Sequence, residues 1–181
     1  LDDTACNLAS INLIKFRRAD STFDVPAFRH AVRLWTITLE ISVLMAQFPA
    51  KNIAQQSYDF RTLGLGYANI GGYLMASGIP YDSDEGRSIC GAISSLMCGE
   101  AYLTSANMAD ELGAFPKYKK NAAAMLRVMR NHKTAAHGEK TGYTNLSINP
   151  VPLVHDDCND KELSNAATCV WDEAIAAGEI S

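Results

Sequence analysis

A single thiol near the start of the chain is the first group in this sequence that could do chemistry. Cys6 lies within residues 4–13, where apolar residues are interleaved with small polar ones and no glycine or proline interrupts them. This pattern predicts a short, half-polar strand. A sulfur on a strand that a sheet holds rigidly suits chemistry that needs a fixed thiol. The competing interpretation is a buried and inert cysteine, because cysteine is among the residue types most often found in protein cores.

Two closely spaced glycines form a second candidate site. Gly64 and Gly66 lie within residues 61–66, Arg-Thr-Leu-Gly-Leu-Gly, which indicate a second short strand. Small residues there let the strand and the following helix, or a ligand, approach closely. A dinucleotide-binding loop is the alternative, with a downstream aspartate binding the ribose. However, Asn69 stands where the third glycine of the G-x-G-x-x-G fingerprint belongs, so that fingerprint is incomplete.

The other cysteines and the histidines form no recognisable metal-binding motif. The five cysteines include no C-x-x-C pair, and the four histidines form no H-E-x-x-H motif, so a zinc site is not expected. An odd number of cysteines is typical of free thiols in a reducing compartment, which predicts a cytoplasmic protein. Cys90 and Cys98 lie eight residues apart on one predicted helix and are interpreted as core residues. Four methionines at helical positions are interpreted in the same way: Met97, Met108, Met125 and Met129.

Composition and charge exclude several function classes. The chain has 181 residues, 48% of them hydrophobic and 20% charged, which is typical of one globular domain. Its net charge of −4 argues against binding to a nucleic-acid backbone. No apolar run approaches the ~20 residues that span a bilayer. Leu1 is not an initiator methionine and no signal-peptide pattern follows it, so we expect a processed piece or a fragment.

The elements that must position these groups are predicted to be mostly helices. Hydrophobic spacing, caps and chain breakers predict helices over residues 24–48, 67–77, 84–112, 117–136 and 161–177. Asp24 and Ser83 are the predicted N-caps of the first and third of these helices, and Gly113 is the predicted C-cap of the third. Residues 15–22 are expected to be a loop, and residues 143–152 to be irregular or to contain a short strand. Short strands separated by long helices favour parallel pairing. Two or three strands are too few for an ordinary sheet, so we expect residues outside this chain to complete it.

Three stretches of the sequence resemble the catalytic chain of ribonucleotide reductases, in the form found in the adenosylcobalamin-dependent (class II) type. The most specific stretch is Asp-Asp-Thr-Ala-Cys-Asn-Leu-Ala-Ser-Ile-Asn-Leu at residues 2–13. Residues 61–86 match well, and Trp-Asp-Glu-Ala at residues 171–174 resembles the helix before the family's phosphate-binding strand. The resemblance implies an α/β fold in which residues 1–181 are an internal segment of a ten-stranded α/β barrel domain. That segment would be mostly helical, with few short parallel strands.

The same resemblance implies an enzyme that reduces ribonucleotides to 2′-deoxyribonucleotides by thiyl-radical chemistry with adenosylcobalamin. Cys6 would be one of two redox-active thiols, and a thioredoxin- or glutaredoxin-like protein would re-reduce the pair. Nucleotide effectors bound outside this chain and a homodimer are consistent with the family. The family's radical cysteine, first redox cysteine and phosphate loop are absent from this sequence, so we expect the segment alone to be inactive. The alternative is a nucleotide-binding or helical interaction module in which Cys6 is structural.

Overall fold

A computed structural model describes residues 2–180, which form six α-helices and two β-strands. The strands are Asn7–Asn12 (β1) and Leu63–Ala68 (β2). The helices are Val25–Met45 (α1), Lys51–Phe60 (α2), Ile70–Ala76 (α3), Asp84–Leu112 (α4), Tyr118–Ala136 (α5) and Lys161–Gly178 (α6). None of the described helices combines the length and the apolar character that a membrane crossing requires.

Capping side chains define the N-termini of α1, α4 and α6. Asp24, Ser83 and Asp160 each accept a hydrogen bond from the backbone N–H three residues further on, at 3.2, 3.0 and 3.0 Å. These bonds satisfy donors that the first turn of a helix leaves without intrahelical partners. At the other end of α4, Gly113 adopts a φ of +83°, which suits glycine. The predicted caps Asp24, Ser83 and Gly113 are therefore confirmed.

The two strands pair in parallel, as the sequence predicted. Asn7 lies opposite Leu63 and Asn12 lies opposite Ala68. The connection between the strands contains two helices, whereas the sequence analysis predicted only one. The missed helix, α2, follows the N-cap Ala50, which forms no side-chain hydrogen bond, and it buries only Ser57 fully, so no capping residue marks its start in the sequence.

The core lies mainly between α4 and α6, with α1 and the sheet beside them. α4 and α6 approach so closely that a side chain on Gly99 would lie 2.4 Å from Val170. α1 packs over one face of both strands. Met97 and Met129 are buried as predicted, whereas Met108 and Met125 are only half-buried. The largest fully buried side chains are those of Trp171, Tyr73, Phe23, Phe28, Leu13, Ile93, Leu96, Leu163, Val32 and Val170.

Several predicted boundaries were wrong by a few residues. The strand predicted over residues 4–13 begins only at Asn7, so Cys6 directly precedes it. The helix predicted from residue 67 begins at Ile70, because β2 continues to Ala68 and Asn69 adopts a left-handed conformation. The predicted loop after β1 contains a short 3₁₀ turn over Leu13–Phe16. Residues 143–152 are irregular, one of the two predicted outcomes, and contain no strand in the part that the structure describes.

Candidate functional site

Cys6 lies on the open face of the two-stranded sheet. Because side chains alternate along a strand, Cys6 and Leu8 point to one face and Ile11 points to the other. Ile11 is only 5% exposed beneath α1, whereas Leu8 is 79% exposed and the Cys6 thiol is also exposed. Among the described residues, the hydrogen-bond partner of the sulfur is the Asn7 carbonyl, at a long distance of 3.7 Å. The thiol therefore faces a surface that no described element covers.

The sulfur of Cys6 lies directly over Gly64 on the neighbouring strand. A Cβ atom added to Gly64 would be 2.8 Å from the Cys6 Sγ and 2.3 Å from the Leu8 Cδ2. Gly66 is less crowded, since its added Cβ would be 3.9 Å from the Ser10 Oγ. The sequence predicted a close approach of the following helix or of a ligand at these glycines. At Gly64 the groups that approach are instead the side chains of Leu8 and Cys6 from the neighbouring strand segment.

The backbone just before Cys6 is held by two side-chain hydroxyls. The Ala5 N–H donates to the Ser57 Oγ at 3.1 Å, and the Thr62 hydroxyl donates to the Ala5 carbonyl at 2.9 Å. Ser57 lies in the last turn of α2, and Thr62 directly precedes β2. On the other side of Cys6, the Asn7 amide donates to the Ser42 Oγ of α1 at 2.7 Å. Sequence reasoning missed Ser57 and Thr62, because their contact with Ala5 depends on a helix that it did not predict.

Arg61 connects the end of α2 to the start of β2 in a left-handed conformation. Its φ and ψ are 52° and 49°, and its N–H donates to the Ser57 carbonyl at 2.9 Å as the cap of α2. Its guanidinium forms an ion pair with Glu40 of α1. A non-glycine residue in this region is disfavoured, so its surroundings must hold it there. The ion pair is one such restraint at the Cys6 end of the sheet.

The other four cysteines lie away from the open face and fit structural roles. The Cys90 sulfur is 3.2 Å from the Tyr67 hydroxyl, and burial together with this contact raises the pKa of Tyr67 to about 12. Burial also raises the pKa values of Cys98 and Cys158, which disfavours the reactive thiolate. Cys169 is exposed on α6. All five cysteines are free thiols, and the part of the chain that the structure describes brings no second sulfur to Cys6 as a disulfide partner.

The dinucleotide-binding interpretation does not fit the structure. Gly64 and Gly66 lie inside β2 and pair with β1, whereas the fingerprint needs its glycines in the turn between a strand and a helix. That turn is occupied by Asn69, which donates from its amide to the Asn12 side chain at 3.1 Å. Within residues 2–180 no group of three or more His, Cys, Asp or Glu side chains could hold a metal ion.

Comparisons with known proteins relate this chain to one enzyme family. The family described as "Ribonucleotide reductase, barrel domain" matches residues 1–178. The chain is 60% identical over 180 residues to the vitamin B12-dependent ribonucleotide reductase of Agrobacterium fabrum and 61% identical to that of Bradyrhizobium diazoefficiens. The corresponding protein of Rhodopirellula baltica is 45% identical over 179 residues. Each match covers 99% of this chain but only 14–16% of the relative.

Proposed function

Since this chain belongs to the ribonucleotide reductase barrel-domain family, we propose that it forms part of the catalytic barrel of a longer enzyme that makes 2′-deoxyribonucleotides. The observation that carries this proposal is the exposed Cys6 thiol, which lies over Gly64 on the open face of a parallel sheet. A structural cysteine is expected to be covered by its own domain. This one instead faces the side on which further strands would enclose a cavity.

Cys6 is proposed to be one of two thiols that supply the reducing electrons. In each turnover two thiols would lose two electrons and two protons and form one disulfide. The ribose C2′–O bond would break, a C2′–H bond would form, and the hydroxyl would leave as water. A thiyl radical elsewhere in the longer chain would start the reaction by removing the 3′-hydrogen. A thioredoxin- or glutaredoxin-like dithiol would then reduce the disulfide and become oxidised itself.

The architecture proposed for the whole domain is a ten-stranded α/β barrel. β1 and β2 each have one edge without a strand partner among the described residues, and such edges normally pair or are covered. α1 covers one face of the pair, as helices do on the outside of an α/β barrel. The open face, with Cys6, would then face the barrel interior. Residues 1–181 are therefore proposed to be an incomplete domain that other segments close.

Adenosylcobalamin is proposed as the cofactor of the longer enzyme, because the similar proteins are named vitamin B12-dependent. Neither of two surface cavities formed by the described residues has room for it. These cavities have volumes of about 450 and 260 Å³, whereas drug-sized ligands already need roughly 300–1,000 Å³ and a corrinoid is larger. Segments outside this chain are therefore proposed to bind it. The same holds for nucleotide effectors, and the ribonucleotide substrate would bind at the open face.

Replacement of Cys6 in the full-length enzyme tests the proposal. Cys6→Ser should abolish multiple turnover with a dithiol reductant, because serine cannot form a disulfide. Substrate binding should survive, because the two side chains are nearly isosteric. Cys169→Ser is the matched control, since that cysteine is also exposed but lies on α6. Deoxyribonucleotide formation over many turnovers and substrate Kd are the measurements. Sustained turnover by the Cys6→Ser enzyme would refute the assigned role.

A further inference from the structure

We propose that Ser57 and Thr62 are positioning residues that hold the Cys6 thiol in place for its disulfide chemistry. This proposal rests on the function proposed above for Cys6. The two hydroxyls bind the N–H and the carbonyl of Ala5, the residue that precedes Cys6. They act on the reaction through the backbone of Ala5 and not by contact with the substrate.

The β-ladder cannot hold Ala5, because its partner position is not extended. The register pairs Asn7 with Leu63, so the ladder two residues earlier would pair Ala5 with Arg61. Arg61 is in the left-handed region, and its N–H already caps α2. Ladder bonds need extended backbone on both strands. Without other partners, the polar groups of Ala5 would be left unpaired next to the redox thiol.

Ser57 and Thr62 replace the missing ladder bonds from two different elements. Ser57 is 0% exposed, and burial of a hydroxyl is unfavourable unless it forms hydrogen bonds. Its Oγ accepts from the Ala5 N–H at 3.1 Å. The Thr62 hydroxyl binds the opposite side of the same residue, at 2.9 Å from the Ala5 carbonyl. Bonds on both sides of Ala5 restrict rotation of the segment that carries Cys6.

A disulfide needs this restriction, because its geometry is specific. The bond forms only when two sulfurs approach to about 2.05 Å and the Cα atoms lie roughly 4.4–6.8 Å apart. Each catalytic cycle makes that bond as two thiols give up two electrons and two protons, and an external dithiol breaks it again. If the backbone at Cys6 were free to move, both formation and reduction of the disulfide would be slower. Binding of the ribonucleotide would change little, because both hydroxyls are engaged with the Ala5 backbone and Ser57 is fully buried.

The test uses the full-length enzyme with Ser57→Ala, Thr62→Val and the double variant. Thr62→Ser keeps the hydroxyl and should restore the behaviour of the unmodified enzyme. The matched control is Thr36→Val, which removes a buried hydroxyl, 3% exposed, that binds the Val32 carbonyl within α1. Three quantities are measured: kcat over multiple turnovers with a dithiol, KM, and the fraction of Cys6 in a disulfide after one turnover. Alkylation of the remaining thiols followed by mass spectrometry gives the disulfide fraction.

We expect the double variant to lose on the order of 10- to 100-fold in kcat, as misplaced reacting groups do. Its KM should stay within about twofold, since substrate binding is a separate interaction, and its Cys6 disulfide fraction should fall. Thr36→Val should change none of these. If the double variant does not fold, the Thr62→Val variant alone tests the positioning role, because valine has nearly the same shape as threonine.

Two results would overturn the positioning role. One is normal kcat and a normal disulfide fraction in the folded variant that lacks the hydroxyls. The other is an equal loss in Thr36→Val, which would mean that any lost buried hydrogen bond has this effect. Cys6→Ser separates these outcomes from failure of the proposed function. If Cys6→Ser still turns over, the redox role itself is wrong. If Cys6→Ser is inactive while the hydroxyl variants are normal, only the positioning role is wrong.

Discussion

Replacement of Gly64 by alanine should move the Cys6 sulfur without unfolding the protein. The new Cβ would be 2.8 Å from the Cys6 Sγ, 2.3 Å from the Leu8 Cδ2 and 3.2 Å from the Asn7 carbonyl oxygen. Leu8 is 79% exposed in this chain, so its side chain can rotate away. The carbonyl contact requires a shift of only a few tenths of an ångström. The clash with the sulfur is therefore the one that affects chemistry.

The size of the displacement follows from ordinary contact distances. Non-bonded heavy atoms sit best at about 3.5–4.0 Å, so a sulfur at 2.8 Å from the new methyl group must move by about 1 Å. A misplacement of about 1 Å can lower an enzymatic rate by roughly 100-fold. We therefore expect kcat over multiple turnovers to fall by about 10- to 100-fold. The stability change should stay small, because alanine is better than glycine in a strand by roughly 0.5–1 kcal/mol, which offsets part of the clash.

The assay compares Gly64→Ala with Gly66→Ala in the full-length enzyme. Gly66 is on the same strand and the same face, but its added Cβ would meet nothing closer than 3.9 Å. Gly66→Ala should therefore keep the turnover number of the unmodified enzyme and melt at the same or a slightly higher temperature. Dithiol-driven turnover, KM and thermal unfolding are measured for both. Equal turnover in the two variants would show that the position of the Cys6 sulfur is not set by Gly64.

Three further outcomes are expected. Cys90→Ala and Cys98→Ala should each lower the free energy of unfolding by about 1 kcal/mol, because each leaves a small cavity. Thermal unfolding should show a modest decrease in Tm. Loss of turnover in a folded variant would mean that the reactive thiol is misassigned. The imidazole of His132 stacks on Trp171 at 5.0 Å, and burial lowers its pKa below 6.5. As the pH falls below about 6.5, the unfolded chain gains this proton first and the free energy of unfolding declines. In urea titrations of the full-length enzyme, the His132→Phe variant should therefore lose less stability between about pH 7 and pH 5 than the unmodified protein. The isolated chain should form no deoxyribonucleotides and should aggregate or melt without a sharp transition in circular dichroism, and a cooperative melt would contradict this.

Local signals in the sequence predicted the helices that have strong caps and breakers. α4 is the clearest case, since Ser83 caps it and Gly113 ends it as predicted. Such signals work because each cap satisfies backbone groups within a few residues of itself. The parallel pairing of β1 and β2 was also predictable, because long helical connections allow strands to lie side by side in the same direction. The proposed role of Cys6 rests on the resemblance of residues 2–13 to the ribonucleotide reductase family.

The geometry around Cys6 could not be predicted, because it depends on contacts between distant parts of the chain. α2 has no capping side chain at Ala50 and consists mostly of polar residues, and tertiary contacts stabilise helices of this kind. The left-handed Arg61 has no signal of its own in the sequence, since arginine rarely adopts that conformation. Once Arg61 ends the ladder, the start of β1 moves to Asn7 and the hydroxyl of Ser57 becomes the partner of Ala5. The position of β1 and the Ser57–Ala5 hydrogen bond both depend on the conformation of Arg61, and that conformation cannot be predicted from the sequence.

The open face of the sheet combines two properties that a redox cavity needs. Its backbone is held firmly at the Cys6 end, by Ser57 and Thr62 beside Ala5. Its apolar side chain Leu8 is 79% exposed in this chain, and burial of that side chain under other segments would be favourable. Closure of a barrel over this face would bury Leu8 and exclude water from the Cys6 thiol, and radical chemistry requires such a dry cavity because water would otherwise quench reactive intermediates.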